Sequence, residues 1–238
     1  MNSYIFEIDN TLLSPGQPID SYFMRCFEQW LYKPAVASYL MKDVYLCTNS
    51  SYSDIYPRLG RKIVEGCKAV FTCNGNSIWM NNKEIKNISW KPPLELVPFL
   101  EKCVFNSPFK TRSGFNIEHL PGMISFSIVG KTANIDDRVR YKDHDKNLKE
   151  RRKIINELNS NFSGIFACSS GDTVIDICEV GKDKTQILQY FDEKKQITYI
   201  GDDKKLADII HSKFRNKLTK THLITKWKET QELIKSIQ

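Results

Sequence analysis

Tyr4-Ile5-Phe6-Glu7-Ile8-Asp9-Asn10-Thr11-Leu12 is the stretch from which the fold can be predicted. An apolar, β-prone run leads into two carboxylates, Glu7 and Asp9, and the hydroxyl of Thr11 follows. Because side chains alternate along a strand, both carboxylates emerge on one side where the strand opens into a loop. Carboxylates at this edge suit a hard cation such as Mg²⁺, and open α/β sheets bind ligands there. The plain alternative is an edge strand whose polar residues run into a turn.

Strands and helices alternate through the first part of the chain. Asp20 or Ser21 can cap a helix with Phe23, Phe27 and Trp30 at helical spacing. Two further apolar, β-prone runs, residues 44–47 and 69–73, are predicted strands. The order strand, helix, strand, helix, strand predicts an α/β fold with a parallel sheet.

A small polar cluster, Thr48-Asn49-Ser50-Ser51, follows the second of these strands. Hydroxyls and backbone N–H groups at a strand end and helix start can cradle an anion. We therefore expect Asn49 to contribute to substrate binding. The plain alternative is that the cluster is simply an N-cap.

The pattern changes after the third strand. A hairpin is predicted around Asn81-Asn82 and another around Pro121-Gly122, with a charged helix from about Asp145 to Leu158. Hairpins and helices without a β-α-β rhythm indicate an antiparallel α+β insert.

The α/β rhythm then resumes. Residues 184–191 are predicted to be helical, residues 196–200 form a buried strand that ends in Gly201-Asp202-Asp203, and residues 221–224 form the last strand. The fold prediction is a Rossmann-like α/β core with a parallel sheet and an inserted α+β cap domain. The predicted bounds are residues 1–80 and 179–238 for the core and 81–178 for the cap.

Four short signals stand in a fixed order on this core: Glu7-x-Asp9-x-Thr11, Thr48, Lys184, and Gly201-Asp202-Asp203 with Asp208. Together with the inserted cap, they resemble the haloacid dehalogenase superfamily of phosphotransferases, and further its phosphomannomutase branch. Matches to that branch include Asn74-Gly75, Ile117-Glu118 before Gly122-Met123, Gly130-Lys131 before Asp137-Arg138, Asp176, and Gly181-x-Asp183-Lys184.

The resemblance implies a Mg²⁺-dependent enzyme that acts on a hexose phosphate. In the family, the first carboxylate attacks phosphorus and the second is the general acid/base, roles that fall to Glu7 and Asp9. Thr48 and Lys184 would hold the phosphoryl oxygens. The metal would be held by the first motif and the acidic loop, that is, by Glu7, Asp9, Asp202, Asp203 and Asp208. Otherwise Asp202 and Asp203 are helix caps, Lys184 is a surface lysine and Thr48 is a cap.

The cap of the family grips the sugar phosphate with several arginines. Here Arg138 stands at one such position, where the alternative is a solvated helix charge, and Lys131 replaces another arginine with a point charge. Asp176 matches a sugar-contacting aspartate. Leu120 and Val174 depart from the family pattern. These departures remove contacts on which the family's hexose-phosphate specificity depends.

Glu7 is the main departure, because the family nucleophile is aspartate. An error of about 1 Å at a reacting atom can cost roughly a hundredfold in rate. The alternative function is therefore an inactive homologue that binds metal or phosphate, or regulates. In another register Asp9 is the nucleophile, which pushes Glu7 into the strand interior, where an unpaired charge is costly. Ala207 stands where an asparagine is usual.

Composition excludes few classes of function. The 35 Lys and Arg outnumber the 28 Asp and Glu, for a formal charge of +7. This balance suits an anionic substrate, and no nucleic-acid motif accompanies it.

The seven cysteines include no C-x-x-C pair, which predicts reduced thiols rather than a zinc site. With no signal peptide or membrane-length apolar run, we expect a cytoplasmic protein. The resemblance also implies a possible homodimer through the cap.

Overall fold

The computed structural model describes residues 2–33, 42–214 and 219–237. The chain divides into two compact units, one made of Met1–Asn87 and Lys184–Gln238 and the other of Ile88–Asp183. Both junctions lie a few residues beyond the predicted bounds of 81 and 178. At the first junction the reason is strand pairing, because the hairpin at Asn81-Asn82 continues the sheet of the first unit.

The first unit contains a seven-stranded sheet in the order β11-β10-β1-β2-β3-β4-β5. The strands from β11 to β3 are parallel, whereas β4 and β5 are antiparallel additions at the edge. The strands are β1 (Asn2–Glu7), β2 (Asp43–Cys47), β3 (Ala69–Thr72), β4 (Ser77–Met80), β5 (Lys83–Asn87), β10 (Gln196–Gly201) and β11 (Lys220–Leu223). The predicted α/β class with a parallel core sheet is confirmed.

Helices pack on both faces of this sheet because its central strands are apolar on both faces. One face is covered by α1 (Ser21–Tyr32), α2 (Tyr52–Leu59), α3 (Arg61–Gly66) and α8 (Trp227–Ser236). The other is covered by a 3₁₀ helix, Lys184–Tyr190, and by α7 (Lys204–Lys213). The alternation of β1 places Phe6 in the first layer and Ile5 in the second.

Helix α1 shows how the sequence pattern produces this packing. Its cap is Asp20, whose Oδ1 accepts hydrogen bonds from the N–H groups of Tyr22 (3.0 Å) and Phe23 (2.9 Å). Phe27 is buried and meets Phe6 edge to face, with ring centroids 5.2 Å apart. The predicted helix and its inner stripe are therefore present, and the cap is Asp20 rather than Ser21.

The second unit contains an antiparallel four-stranded sheet in the order β6-β7-β9-β8. Its elements are α4 (Leu96–Asn106), β6 (Ile117–Leu120), β7 (Met123–Phe126), α5 (Ile135–Leu148), α6 (Glu150–Asn161), β8 (Ile165–Ser170) and β9 (Val174–Glu179). The single helix predicted over 145–158 is wrong. Lys149 adopts a left-handed conformation (φ 55°) and separates α5 from α6.

No helix in the described part of the chain has both the length and the apolar character needed to cross a membrane.

Candidate active site

Glu7 is the last residue of β1, at the carboxyl edge of the parallel sheet. It pairs in register with Cys47 of β2 and is almost fully buried. Alternation along β1 turns its side chain toward the same face as Ile5, which is the face of the 3₁₀ helix and α7. A carboxylate on this face must find partners, because an unpaired buried charge is costly.

Both oxygens of the Glu7 carboxylate have partners in the first unit. Lys184 Nζ donates to Oε1 and forms an ion pair with it. Oε2 accepts hydrogen bonds from the backbone N–H groups of Asp202 (2.8 Å) and Asp203 (3.0 Å). A Cβ on Gly201 would lie 2.6 Å from Glu7 Cγ, so only glycine allows this approach. The predicted motifs at Glu7, Lys184 and Gly201-Asp202-Asp203 therefore meet at one place.

The electrostatics of this pair follow from competition between burial and charge. Burial would raise the pKa of Glu7, but the Lys184 charge and the hydrogen bonds from Asp202 and Lys184 outweigh it and lower this pKa to about 2. Burial would lower the pKa of Lys184, but the charge of the Glu7 carboxylate outweighs burial and raises this pKa. Near neutral pH the site therefore holds an ionised, oriented carboxylate beside an ammonium group.

Tyr199, which the sequence analysis did not single out, lies in the same cluster. Its hydroxyl accepts a hydrogen bond from Asp203 N (3.2 Å) and donates to the backbone oxygen of Asp203 (3.4 Å). Burial and the Glu7 charge raise the Tyr199 pKa well above its ordinary value, so the phenol stays protonated. Its position two residues before Gly201, on the inward face of β10, is the signal that would have located it.

Asp9, two residues beyond Glu7, is held by Arg58 of α2. Arg58 Nη2 donates to Asp9 Oδ1 at 2.6 Å, and Nη1 donates to Asp54 Oδ2 at 2.8 Å. Arg58 Nε donates to the backbone oxygen of Gln17 at 3.1 Å. The Arg58 and Asp9 side chains are 12% and 25% exposed. The i, i+4 spacing of Asp54 and Arg58 predicts their pairing on a helix, but nothing local in the sequence indicates Asp9 as a partner.

Two of the five predicted metal donors are brought together, Glu7 and Asp202. Although Asp202 is exposed as a residue, desolvation of its carboxyl and, after it, the adjacent Glu7 carboxylate raise the Asp202 pKa to about 7. Neighbouring carboxylates of this kind suit Mg²⁺, which often uses only one or two of them.

The predicted five-donor cluster is not formed. Within residues 2–33, 42–214 and 219–237, no group of three or more His, Cys, Asp or Glu side chains is placed to hold a metal ion. Asp9 is paired with Arg58, and Asp203 caps α7 by accepting from Leu206 N at 2.9 Å. Asp208 is exposed on α7. The cap alternative therefore describes Asp203 Oδ1, while Asp203 Oδ2 lies 3.9 Å from Lys184 Nζ, and metal binding by the five residues remains a prediction.

The polar cluster after β2 is divided between two local roles. Ser51 is the N-cap of α2, since its hydroxyl accepts from Asp54 N at 3.2 Å. Thr48 is buried, and its Oγ1 accepts from Ser50 N at 3.1 Å. Asn49 lies between β2 and α2 and is partly buried. The N-cap alternative thus holds for Ser51, whereas phosphate contacts from Thr48 and Asn49 remain predictions.

The predicted sugar-binding residues lie in the second unit. Lys131 Nζ is 2.6 Å from Glu118 Oε2. Arg138 donates to the backbone oxygens of Lys131 (2.8 Å) and Ala133 (3.0 Å). Asp176 is buried on β9, where it lies opposite Ser125 of β7 and Cys168 of β8. Arg138 is therefore tied to its own unit rather than a fully solvated helix charge, and sugar binding by these residues remains a prediction.

Comparison with known proteins supports the resemblance found in the sequence. The model of the eukaryotic phosphomannomutase family matches residues 40–238. The chain is 24% identical to a phosphomannomutase of Triticum aestivum over 98% of this chain and 94% of the relative. It is 25% identical to a phosphomannomutase of Solanum lycopersicum, over 95% of this chain and 90% of the relative.

Solved structures with a similar fold extend this comparison. A haloacid dehalogenase-like hydrolase from Bacteroides thetaiotaomicron matches with a TM-score of 0.60 at 12% identity, covering 100% of this chain and 99% of the other. The C-terminal domain of a Candida albicans trehalose-6-phosphate phosphatase matches with a TM-score of 0.61 at 11% identity, covering 98% and 90%. These similarities concern the fold. Taken with the family model, they show that this chain belongs to the eukaryotic phosphomannomutase family.

Proposed function

We propose that this protein is a phosphotransferase of the phosphomannomutase type that acts on a hexose phosphate. The observation that carries the proposal is the convergence of Glu7, Lys184 and the Asp202–Asp203 loop at the carboxyl edge of the parallel sheet. Phosphoryl transfer depends mainly on positioning and on neutralising charge, and this cluster supplies a fixed carboxylate and a fixed cation.

The proposed reaction begins with attack of a Glu7 oxygen on phosphorus. The bond from phosphorus to the sugar oxygen breaks, and Asp9, which enters this step in its protonated form, delivers its proton to that oxygen and becomes the carboxylate that pairs with Arg58. A second acceptor, a sugar hydroxyl in a mutase or water in a phosphatase, then gives its proton to Asp9 and takes the phosphoryl group from Glu7. Arg58 orients Asp9, and Lys184 compensates the charge at Glu7.

Residues Glu7 and Asp202 would hold the Mg²⁺ that the family resemblance implies, and its charge would favour binding of the phosphoryl group. Thr48 and Asn49 would contact phosphoryl oxygens, and Lys131, Arg138 and Asp176 would contact the sugar phosphate. We also expect a cytoplasmic location and, by resemblance, a homodimer through the cap.

A catalytically inactive homologue is the second candidate, and one observation favours it. Both Glu7 oxygens are engaged by protein donors, and attack on phosphorus requires one of them to be released. Such a protein would bind a sugar phosphate or a metal ion without turnover.

A phosphate-release assay with p-nitrophenyl phosphate and a panel of hexose phosphates separates the two candidates. The variants are Glu7→Gln, Glu7→Asp and Asp9→Asn, and Asp20→Asn serves as a matched control because asparagine also caps helices. A working enzyme loses about 10²–10⁴-fold in rate with Asp9→Asn and keeps its rate with Asp20→Asn. A silent wild type that gains turnover as Glu7→Asp would instead establish the inactive homologue. Adding EDTA tests the metal requirement, and conversion between hexose 1- and 6-phosphates tests for a mutase.

A further inference from the structure

We propose that the donors around Glu7 form an oxyanion pocket, that the Glu7 carboxylate fills this pocket from within the chain, and that a phosphoryl group binds there when the carboxylate withdraws. The pocket consists of the Lys184 ammonium and the backbone N–H groups of Asp202 and Asp203. The inference rests on the proposed function only in taking a phosphoryl group as the competing anion.

The pocket suits an anion, because two separate elements direct donors at one point. Lys184 belongs to the 3₁₀ helix, and the two N–H groups belong to the loop before α7. The Lys184 side chain is 19% exposed, so solvent screens its charge only weakly. The Asp202 carboxyl is the acidic neighbour of the pocket, and its hydrogen bond from Asn10 Nδ2 at 2.8 Å holds it toward the loop surface.

The length of glutamate explains why its carboxylate reaches these donors. Glu7 follows Phe6, which lies opposite Ile200, and Gly201 is the next residue of β10. A Cβ on Gly201 would meet Glu7 Cγ and Oε2, so the missing side chain leaves the path to the loop open. Aspartate is shorter by one methylene, about 1.5 Å of reach, and would leave the N–H groups of Asp202 and Asp203 to another acceptor. The same donors would then be available to the oxygens of a phosphoryl group.

Glu7 and a phosphoryl group therefore compete for one set of donors. A tethered carboxylate has a high effective concentration, which weakens the apparent affinity of any free anion for the wild type. Removing the tethered carboxylate removes the competitor. In the proposed reaction, the incoming phosphoryl group must take these donors over from Glu7.

The test is the thermal stability of Glu7→Ala in the presence of acetate or inorganic phosphate. The atoms that this substitution removes beyond Cβ are those of an acetate ion. We expect both anions to raise the melting temperature by about 3–6 °C at ten times their dissociation constant, relative to chloride at equal ionic strength. The wild type should bind phosphate at least about tenfold more weakly. Glu7→Gln fills the same space without charge and should respond no more than the wild type.

Three results would overturn the proposal: no anion response in folded Glu7→Ala, a response to acetate alone, or a phosphate response that survives in Glu7→Ala/Lys184→Met. If Glu7→Ala does not fold, Glu7→Asp replaces it, and a melting temperature of Glu7→Asp that phosphate leaves unchanged overturns the proposal equally. The turnover assay is independent of these measurements. Phosphate binding without turnover would contradict the proposed phosphotransferase activity and support the pocket. Turnover without phosphate binding would support the activity and contradict the pocket.

Discussion

Each unit of the protein contains one contact between a lysine and a glutamate that bears on the proposed function, and the two contacts differ in burial. Lys184 and Glu7 are 19% and 3% exposed, whereas Lys131 and Glu118 are 30% and 25% exposed. Glu7 also accepts hydrogen bonds from two backbone N–H groups. The Lys131 contact, at 2.6 Å, lies outside hydrogen-bond geometry. In the first unit each charge therefore depends on its partner for compensation. In the second unit solvent can replace the partner.

Removing the cation of the buried pair should have the largest effect. Lys184→Met leaves Glu7 as an uncompensated buried charge, a change that typically costs about 3–5 kcal/mol. We expect this loss in the free energy of unfolding, measured by urea denaturation. The double variant Glu7→Gln/Lys184→Met is the control, since it removes both charges and should recover part of the stability. A loss below about 1 kcal/mol in Lys184→Met would show that this pair contributes no more to stability than an exposed ion pair does.

Acid should break the same pair. The folded-state pKa of Glu7, about 2, lies below its unfolded value. The stabilisation is therefore fully present above the unfolded pKa of about 4.3 and is lost as pH falls toward 2. This stabilisation amounts to about 3 kcal/mol in the free energy of unfolding.

The measurement is the difference in unfolding free energy between the wild type and Glu7→Gln at several pH values. We expect this difference to shrink between about pH 5 and pH 2. A difference that stays constant over that range would contradict the assignment of this acid sensitivity to Glu7.

The sequence predicted the location of the Glu7 site better than it predicted the contacts of the residues around it. The four motifs marked strand ends that meet in space, because parallel strands share a carboxyl edge, so Glu7, Lys184 and the Asp202–Asp203 loop came together as expected. The Arg58–Asp9 pair could not be predicted, since it joins residues far apart in sequence and depends on how α2 packs. Metal binding by Asp9 stays a prediction, and its ion pair with Arg58 is what the sequence did not indicate.

Helices and strands with a strong hydrophobic periodicity were predicted correctly. Features that depend on the backbone conformation of one residue were not predicted. Helix α1 has a buried stripe and a capping residue, and both were visible in the sequence. The break at Lys149 depends on a left-handed conformation in a residue type that gives no local signal. The hairpin at Asn81-Asn82 was recognised, but the turn at Asn74-Gly75, which pairs β4 with β3 in antiparallel fashion, was not predicted as a second hairpin.

Tyr199→Phe should weaken the buried cluster by less than the loss of Lys184. Phenylalanine keeps the ring and removes the hydroxyl that bonds to the N–H and the backbone oxygen of Asp203, and a neutral hydrogen bond typically contributes about 0.5–1.5 kcal/mol. We expect a loss within this range, because Lys184 and two N–H groups still hold Glu7. Urea denaturation measures it, and Tyr190→Phe on the exposed end of the 3₁₀ helix is the matched control. A Tyr199→Phe protein as stable as the control would remove the hydroxyl from the cluster.

Lys131→Met tests the other side of the comparison and should have the smallest effect on stability. Ion pairs that keep contact with solvent contribute about 0–1 kcal/mol. Lys131 and Glu118 are 30% and 25% exposed, although Glu118 Oε2 itself is buried, so we expect a loss near the upper limit. Salt separates the two pairs further, because it screens exposed charges and leaves buried ones largely unaffected. We therefore expect the Lys131→Met effect to vanish in about 1 M NaCl while the Lys184→Met effect persists, as measured by urea denaturation at low and high salt. A Lys131→Met loss above about 2 kcal/mol that resists salt would show that burial alone does not separate the two contacts.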